Sequence, residues 1–172
     1  MPRKKPIAVV VDASVAGAAG DMSASVAFSR RCRDSLIALR NAELRLAMSP
    51  VLEDEWRKHQ SRYARKWLSD MYARRRIARV VPKTDIQLRK ATAKLATEKQ
   101  RQAVQKDWHL VETAAASDHR VVSSDLRIKE LLVSMVPDVA YLARLHWTCP
   151  ADDGCCEWIE DGTPEDPERH LT

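Results

Sequence analysis

The sequence predicts an α/β fold built on buried parallel strands, and three stretches carry that expectation. Ile7-Ala8-Val9-Val10-Val11 is an unbroken, mostly β-branched run, the pattern of a strand buried on both faces. Leu44 to Met48 reads as a second strand and leads into Ser49-Pro50. That pair is a strong helix start, because serine caps orphan N–H groups and proline pre-sets the first helical turn. From Asp107 to Asp125 an amphipathic segment breaks at Ser117-Asp118-His119-Arg120 and enters the apolar run Val121-Val122-Ser123. A helix followed by a buried strand is half of a βαβ unit.

At 172 residues with 45% apolar side chains, the chain can bury a real core. Its charge is uneven. The last 22 residues hold eight Asp or Glu against Arg169 alone, a balance of −7. With a net charge of +5 overall, the remaining body is therefore +12. Residues 57–79 contribute nine Lys or Arg against Asp70. Such a body suits a polyanion, most simply nucleic acid; a solvated basic helix face is the common alternative, and nucleic acid stands ahead of it because the carboxylates described below call for a phosphate-type substrate. No stretch approaches the roughly 20 apolar residues of a membrane span. Met1-Pro2-Arg3-Lys4-Lys5 resembles the start of a signal peptide, but the apolar run behind it is too short. A cytoplasmic protein without a membrane partner is expected, with Cys32, Cys149, Cys155 and Cys156 reduced.

Helical periodicity begins near Ser23 and runs to Asn41. After Ser49-Pro50 a helix carries Glu53, Asp54 and Glu55 in its first two turns. Ser61 to Arg79 reads as one basic helix with Tyr63, Trp67, Leu68, Met71 and Tyr72 on a common face. Val80-Val81 is a short strand or a connector, and a polar helix follows from Thr84 to about Val104. The next helix opens at Asp107.

Four acids stand out on this framework: Asp12, Glu55, Asp107 and Asp125. Asp12 and Asp125 follow the ends of apolar strands, where open α/β folds bind ligands. An N-cap role accounts for Asp12 as well as a site role does. Val51, Leu52 and Trp56 mark the inner side of their helix, which favours Glu55 and leaves Glu53 in reserve. Carboxylates gathered in one cleft repel one another and call for divalent cations. All-oxygen ligation suits Mg²⁺ or Mn²⁺, and such ions activate water for attack on a phosphodiester. Ser14 and Ser124 are candidates for orienting the acids from behind. Arg57, Lys58, Arg62, Arg65, Arg74, Arg75 and Arg76 are candidates for holding an RNA backbone. His109 reads as an ordinary helix histidine, and Glu112 and Asp118 as helix-surface charge and turn.

The chain resembles the PIN-domain nucleases. The resemblance rests on Val10-Val11-Asp12-Ala13-Ser14, on Ser49-Pro50-Val51-Leu52 leading to Glu55-Trp56, on Lys106-Asp107-Trp108-His109-Leu110, and on Val121-Val122-Ser123-Ser124-Asp125. It spans roughly residues 6–145. It implies a three-layer α/β/α sandwich on a mainly parallel sheet and a Mg²⁺- or Mn²⁺-dependent endoribonuclease activity. It also implies Asp12, Glu55, Asp107 and Asp125 as the acidic set, with products ending in 5′-phosphate and 3′-hydroxyl. Many members are toxins of toxin–antitoxin pairs and dimerise, so an antitoxin protein and a second copy are expected partners. Others have lost activity, which leaves a non-catalytic RNA-binding or scaffold protein as the alternative.

Two features depart from the compact toxin pattern. Helices at 61–104 lengthen the middle, and residues 146–172 form an acidic, cysteine-containing C-terminal extension to a nuclease domain at 1–145. His146, Cys149, Cys155 and Cys156 do not have the spacing of a zinc site. Pro164 and Pro167 point to a mobile end.

Overall fold

A computed structural model describes residues 5–22 and 24–172. Five strands form one sheet: β1 (Ala8–Val11), β2 (Arg45–Met48), β3 (Ile77–Arg79), β4 (Arg120–Val122) and β5 (His146–Thr148). Their order is β3-β2-β1-β4-β5, and every neighbouring pair is parallel. All four residues of β1 are buried, as their apolar character requires at the centre of a covered sheet. On one side pack α1 (Ala13–Ala18), α2 (Ala27–Asn41), α3 (Pro50–His59), α4 (Arg62–Ala73) and α8 (Cys155–Glu160). α5 (Ile86–Ala93), α6 (Glu98–Ala115) and α7 (Leu126–Met135) form a second connected group, with α6 lying against β1, β2 and β4. The expected three-layer sandwich is what the chain builds. Among the described residues, no helix is long and apolar enough to cross a membrane.

The helix starts follow local chemistry. The Ser49 hydroxyl accepts from the Leu52 amide, with Pro50 in the first turn of α3. Ser61 caps α4, and Asp125 caps α7 by accepting from the Ile128 amide at 3.0 Å. The expected start of α2 at Ser23 lies outside the described residues, and the helix itself begins at Ala27.

Three expectations require correction. The basic helix over 61–79 ends at Ala73, where the chain turns through Arg75 in a left-handed conformation (φ +56°). Ile77–Arg79 then pairs with β2 as the edge strand, so this segment completes the sheet and is no insertion. The polar helix over 84–104 is two helices. They are divided by Thr97, whose hydroxyl accepts from the Gln100 amide while the Gln100 side chain accepts from the Thr97 amide. The second of them runs to Ala115, so Asp107 lies inside α6 and does not open it.

The third correction concerns the tail. A boundary after residue 145 falls immediately before β5, which is hydrogen-bonded to β4 inside the sheet. α8 packs on α2, Leu171 is fully buried, and the Leu171 amide donates to the Leu145 carbonyl at 3.2 Å. The acidic tail is anchored by Arg120 of β4 and by its own Arg169. Arg120 pairs with Glu165 at 3.3 Å, and Arg169 bonds Asp166, the Thr148 hydroxyl and the Gly154 carbonyl. The Trp158 indole N–H donates to the Pro164 carbonyl at 3.0 Å. Residues 146–172 belong to the body, and their prolines sit in a docked segment.

Candidate active site

The order in which strands are added to the sheet reverses between β1 and β4. From β1 the chain moves outward to β2 and β3, then returns to β4 on the other side of β1. Helices diverge at such a switch point and leave a crevice at the carboxyl ends of the two strands. Asp12 directly follows β1, and its amide donates to the Val122 carbonyl of β4 at 2.9 Å. Ser123, Ser124 and Asp125 follow β4. The two strand ends are thereby held side by side.

Asp12, Glu55, Asp107 and Asp125 line one cavity of about 380 Å³, together with Ser14, Gly17, His59, Lys106 and His109. Each acid arrives by its own route. Glu55 is carried in by α3, which is fixed to the strand end through Trp56. That indole is fully buried and donates to the Val11 carbonyl at 2.8 Å. α3 also lies hard against α1: a Cβ on Gly17 would come within 2.8 Å of the His59 carbonyl oxygen. Asp107 is presented by α6, which crosses above from the other layer. There the Thr113 and Ser49 hydroxyls lie 2.9 Å apart and join α6 to the start of α3.

Asp12 is the most firmly held of the four. Its Oδ2 accepts from the Ser14 hydroxyl at 2.7 Å and from the Ser123 hydroxyl at 2.8 Å, and its Oδ1 accepts from the Ser14 amide at 3.3 Å. The Ser124 hydroxyl stands behind Ser14 at 2.8 Å. Ser14 and Ser124 thus form a chain ending on Asp12. Ser123 touches the carboxylate directly and escaped the sequence reading, because a serine ending an apolar run looks like an ordinary strand terminus. Glu55 pairs with Lys58 at 3.3 Å and faces His59 at 3.5 Å. Asp125 spends one oxygen on its helix cap.

Burial pushes the Asp107 carboxyl up from 3.8 to about 7, and the negative charges of Asp12, Asp125 and Glu55 add to the shift. Lys106 opposes it. His109 is held below the usual imidazole range, chiefly by burial. Its Nδ1 lies 3.0 Å from the Lys106 carbonyl, which can only accept, so Nδ1 carries the proton. The four carboxylates supply only oxygen donors, and they stand apart. Among the described residues, only His146, Glu165 and His170 bring three candidate metal-ligand atoms, nitrogen or oxygen, within 4.8 Å of one another, and they lie elsewhere.

Other candidates are placed away from this cavity. Glu53 accepts from the Tyr72 hydroxyl at 3.1 Å and pairs with Arg79 at 3.3 Å, which separates it from Glu55. Glu112 accepts from the Asp85 amide and pairs with Arg89, and Asp118 accepts from the Ala8 amide at 2.7 Å. The basic residues divide into two groups. Arg57 and Lys58 lie in the last turn of α3, next to the cavity residue His59, and Arg62 and Arg65 follow at the start of α4. Arg74, Arg75 and Arg76 precede β3 and so lie at the amino ends of the strands, opposite the acids. There Arg74 is paired with Asp70 and Arg76 with Glu43. The seven therefore do not form one surface around the acids. Compared with known proteins, the chain matches no family model, no curated protein and no solved structure.

Proposed function

We propose that this chain is a divalent-metal-dependent endoribonuclease of PIN-like type, acting in the cytoplasm, with Mg²⁺ or Mn²⁺ held by Asp12, Glu55, Asp107 and Asp125. The observation that carries the reading is that four carboxylates, from four separate segments, line one cavity at the switch point of a parallel sheet. A divalent cation fits the donor set. The ligands are hard oxygens, the cavity has one lysine against four acids, and without a cation Asp107 holds its proton up to about pH 7. When bound, the ion supplies an activated water and neutralises charge on the phosphodiester.

The chain's own residues do the positioning. Ser14 and Ser123 orient Asp12, Trp56 and Gly17 set the distance of α3, and Lys106 offers a cation to a phosphate entering over Asp107. Lys58 and His59 stand on the Glu55 side of the entrance. A toxin role would add growth arrest on expression, relieved by an antitoxin protein.

The test is cleavage of a labelled RNA panel by wild type and Asp12→Asn with Mn²⁺, Mg²⁺ or EDTA. Cleavage that needs metal and disappears in Asp12→Asn is expected. RNA that is bound but never cut, whatever the metal, would replace this reading with a non-catalytic RNA-binding protein. Equal cutting by both proteins would remove the assignment of the site.

A further inference from the structure

A second constellation of donor groups lies away from the acidic cavity, where the tail crosses the outer edge of the sheet. His146 begins β5, and the tail returns alongside it so that His146 and His170 form an isolated antiparallel bridge. Their rings meet edge to face with centroids 4.5 Å apart. Glu165, from the same tail, reaches both rings through one oxygen. Its Oε1 is 3.5 Å from Nε2 of His146 and 3.0 Å from Nε2 of His170. Donor atoms of the three side chains lie within 4.8 Å of one another.

Hydrogen bonding fixes the tautomer of His146 and divides the two oxygens of Glu165. The His146 side chain is fully buried, stacked against Trp158. Its Nε2 accepts from the Asp166 amide at 3.0 Å, so Nδ1 carries the proton and is buried without a partner. That orphan Nδ1–H is a donor, which no cation could pair, so Nε2 is the nitrogen an ion would meet. Meanwhile Glu165 divides its oxygens: Oε2 takes the Arg120 guanidinium at 3.3 Å and leaves Oε1 to the histidines. A carboxylate ligand is commonly supported in this way, one oxygen on the ion and the other on an outer cation or donor.

We propose that His146, Glu165 and His170 form a transition-metal site, best suited to Zn²⁺, that fastens the C-terminal tail to β5. Two imidazole nitrogens and a carboxylate oxygen are a zinc donor set, and they are poor company for Mg²⁺. Glu165 is 66% exposed, so water reaches the fourth position. The lone pair of His146 Nε2 receives the Asp166 amide, and an ion bound there would displace that hydrogen bond. Two of the three ligands come from the tail and one from the sheet, so the ion would tie the tail's docking to metal supply. The cysteines take no part: the ligands here are histidine and glutamate, and all four thiols are free.

The test uses the full chain in saturating Mg²⁺, which keeps the acidic cavity occupied, and titrates Co²⁺ as a spectroscopic probe before displacing it with Zn²⁺. One Co²⁺ per chain with the strong visible bands of four-coordinate cobalt is expected. His170→Ala and Glu165→Gln should each weaken binding by more than about tenfold, and Asp12→Asn should bind as wild type does. Glu165→Gln changes an exposed side chain, so it reports even if His170→Ala disturbs the tail. Absent bands in wild type, bands that survive both variants, or bands lost in Asp12→Asn would each overturn the proposal. None of these outcomes depends on whether the acidic cavity cuts RNA.

Discussion

The Ser123 hydroxyl donates to Asp12 Oδ2 at 2.8 Å, across the seam between the two strands where the strand order reverses. The same hydroxyl oxygen lies 3.2 Å from the Asp125 amide as acceptor. One buried serine therefore sets both the first and the last acid of the cavity. Ser123→Ala should lower Mn²⁺ affinity by about 10- to 100-fold, as loss of a group supporting a metal ligand does. Isothermal titration of wild type and variant with Mn²⁺ measures this directly. Unchanged affinity would mean that Ser14 alone suffices to orient Asp12.

Asp107 gives the metal-free protein a distinctive pH dependence. Its carboxyl is raised from 3.8 to about 7, so between those values the folded chain keeps a proton that the unfolded chain has released. Stability from this group is complete below about pH 4 and is lost as pH rises through about 7, by roughly 2–4 kcal/mol. Denaturant unfolding in EDTA across this range should show that decline, and Asp107→Asn should flatten it. Mn²⁺ should abolish the decline in wild type, because an ion stabilises the ionised form.

Gly17 marks the closest approach of α1 and α3, with the His59 carbonyl 2.8 Å from where a Cβ would stand. Backbone on both sides leaves little room to adjust. Gly17→Ala should cost about 1–3 kcal/mol through overpacking, despite the better helix propensity of alanine. It should also reduce cleavage, since α3 carries Glu55. A variant with wild-type melting temperature and activity would show that the two helices slide apart freely.

The split of the basic residues separates two kinds of RNA contact. Lys58 stands beside Glu55, whereas Arg74 and Arg75 occupy the opposite end of the sheet. Lys58→Ala should reduce the salt dependence of RNA binding by about one ion. Arg74→Ala and Arg75→Ala should leave both the slope and the cleavage rate unchanged for short RNA. Binding measured against salt concentration for the three variants decides the matter.

Much of this architecture is legible in the sequence because its causes are local. The buried run at Ile7–Val11, the Ser49-Pro50 start of α3 and the helix-to-strand passage before Asp125 each depend on neighbours within a few residues. The choice of Asp12, Glu55, Asp107 and Asp125 used the same local cues. Where local cues are weak, the sequence is silent about the element. Ile77–Arg79 and His146–Thr148 are three-residue strands too short to display a period, and what makes them strands is pairing with β2 and β4. The Thr97–Gln100 capping box was a readable start of α6, hidden within a long polar stretch.

The sequence by itself determined the kinds of element, their caps and the residues with chemistry to offer. Tertiary structure alone decided which of those residues meet. Strand order brings β4 beside β1, and with it Ser123 and Asp125 beside Asp12, although more than 100 residues separate them along the chain. The packing of α3 on α1 selects Glu55 for the cavity and turns Glu53 toward Arg79. Return of the tail along β5 brings His170 and Glu165 to His146. The physical reason is the same in each case. Propensity and capping act between near neighbours, whereas the meeting of distant side chains follows from burying apolar surface between layers, a requirement of the whole fold.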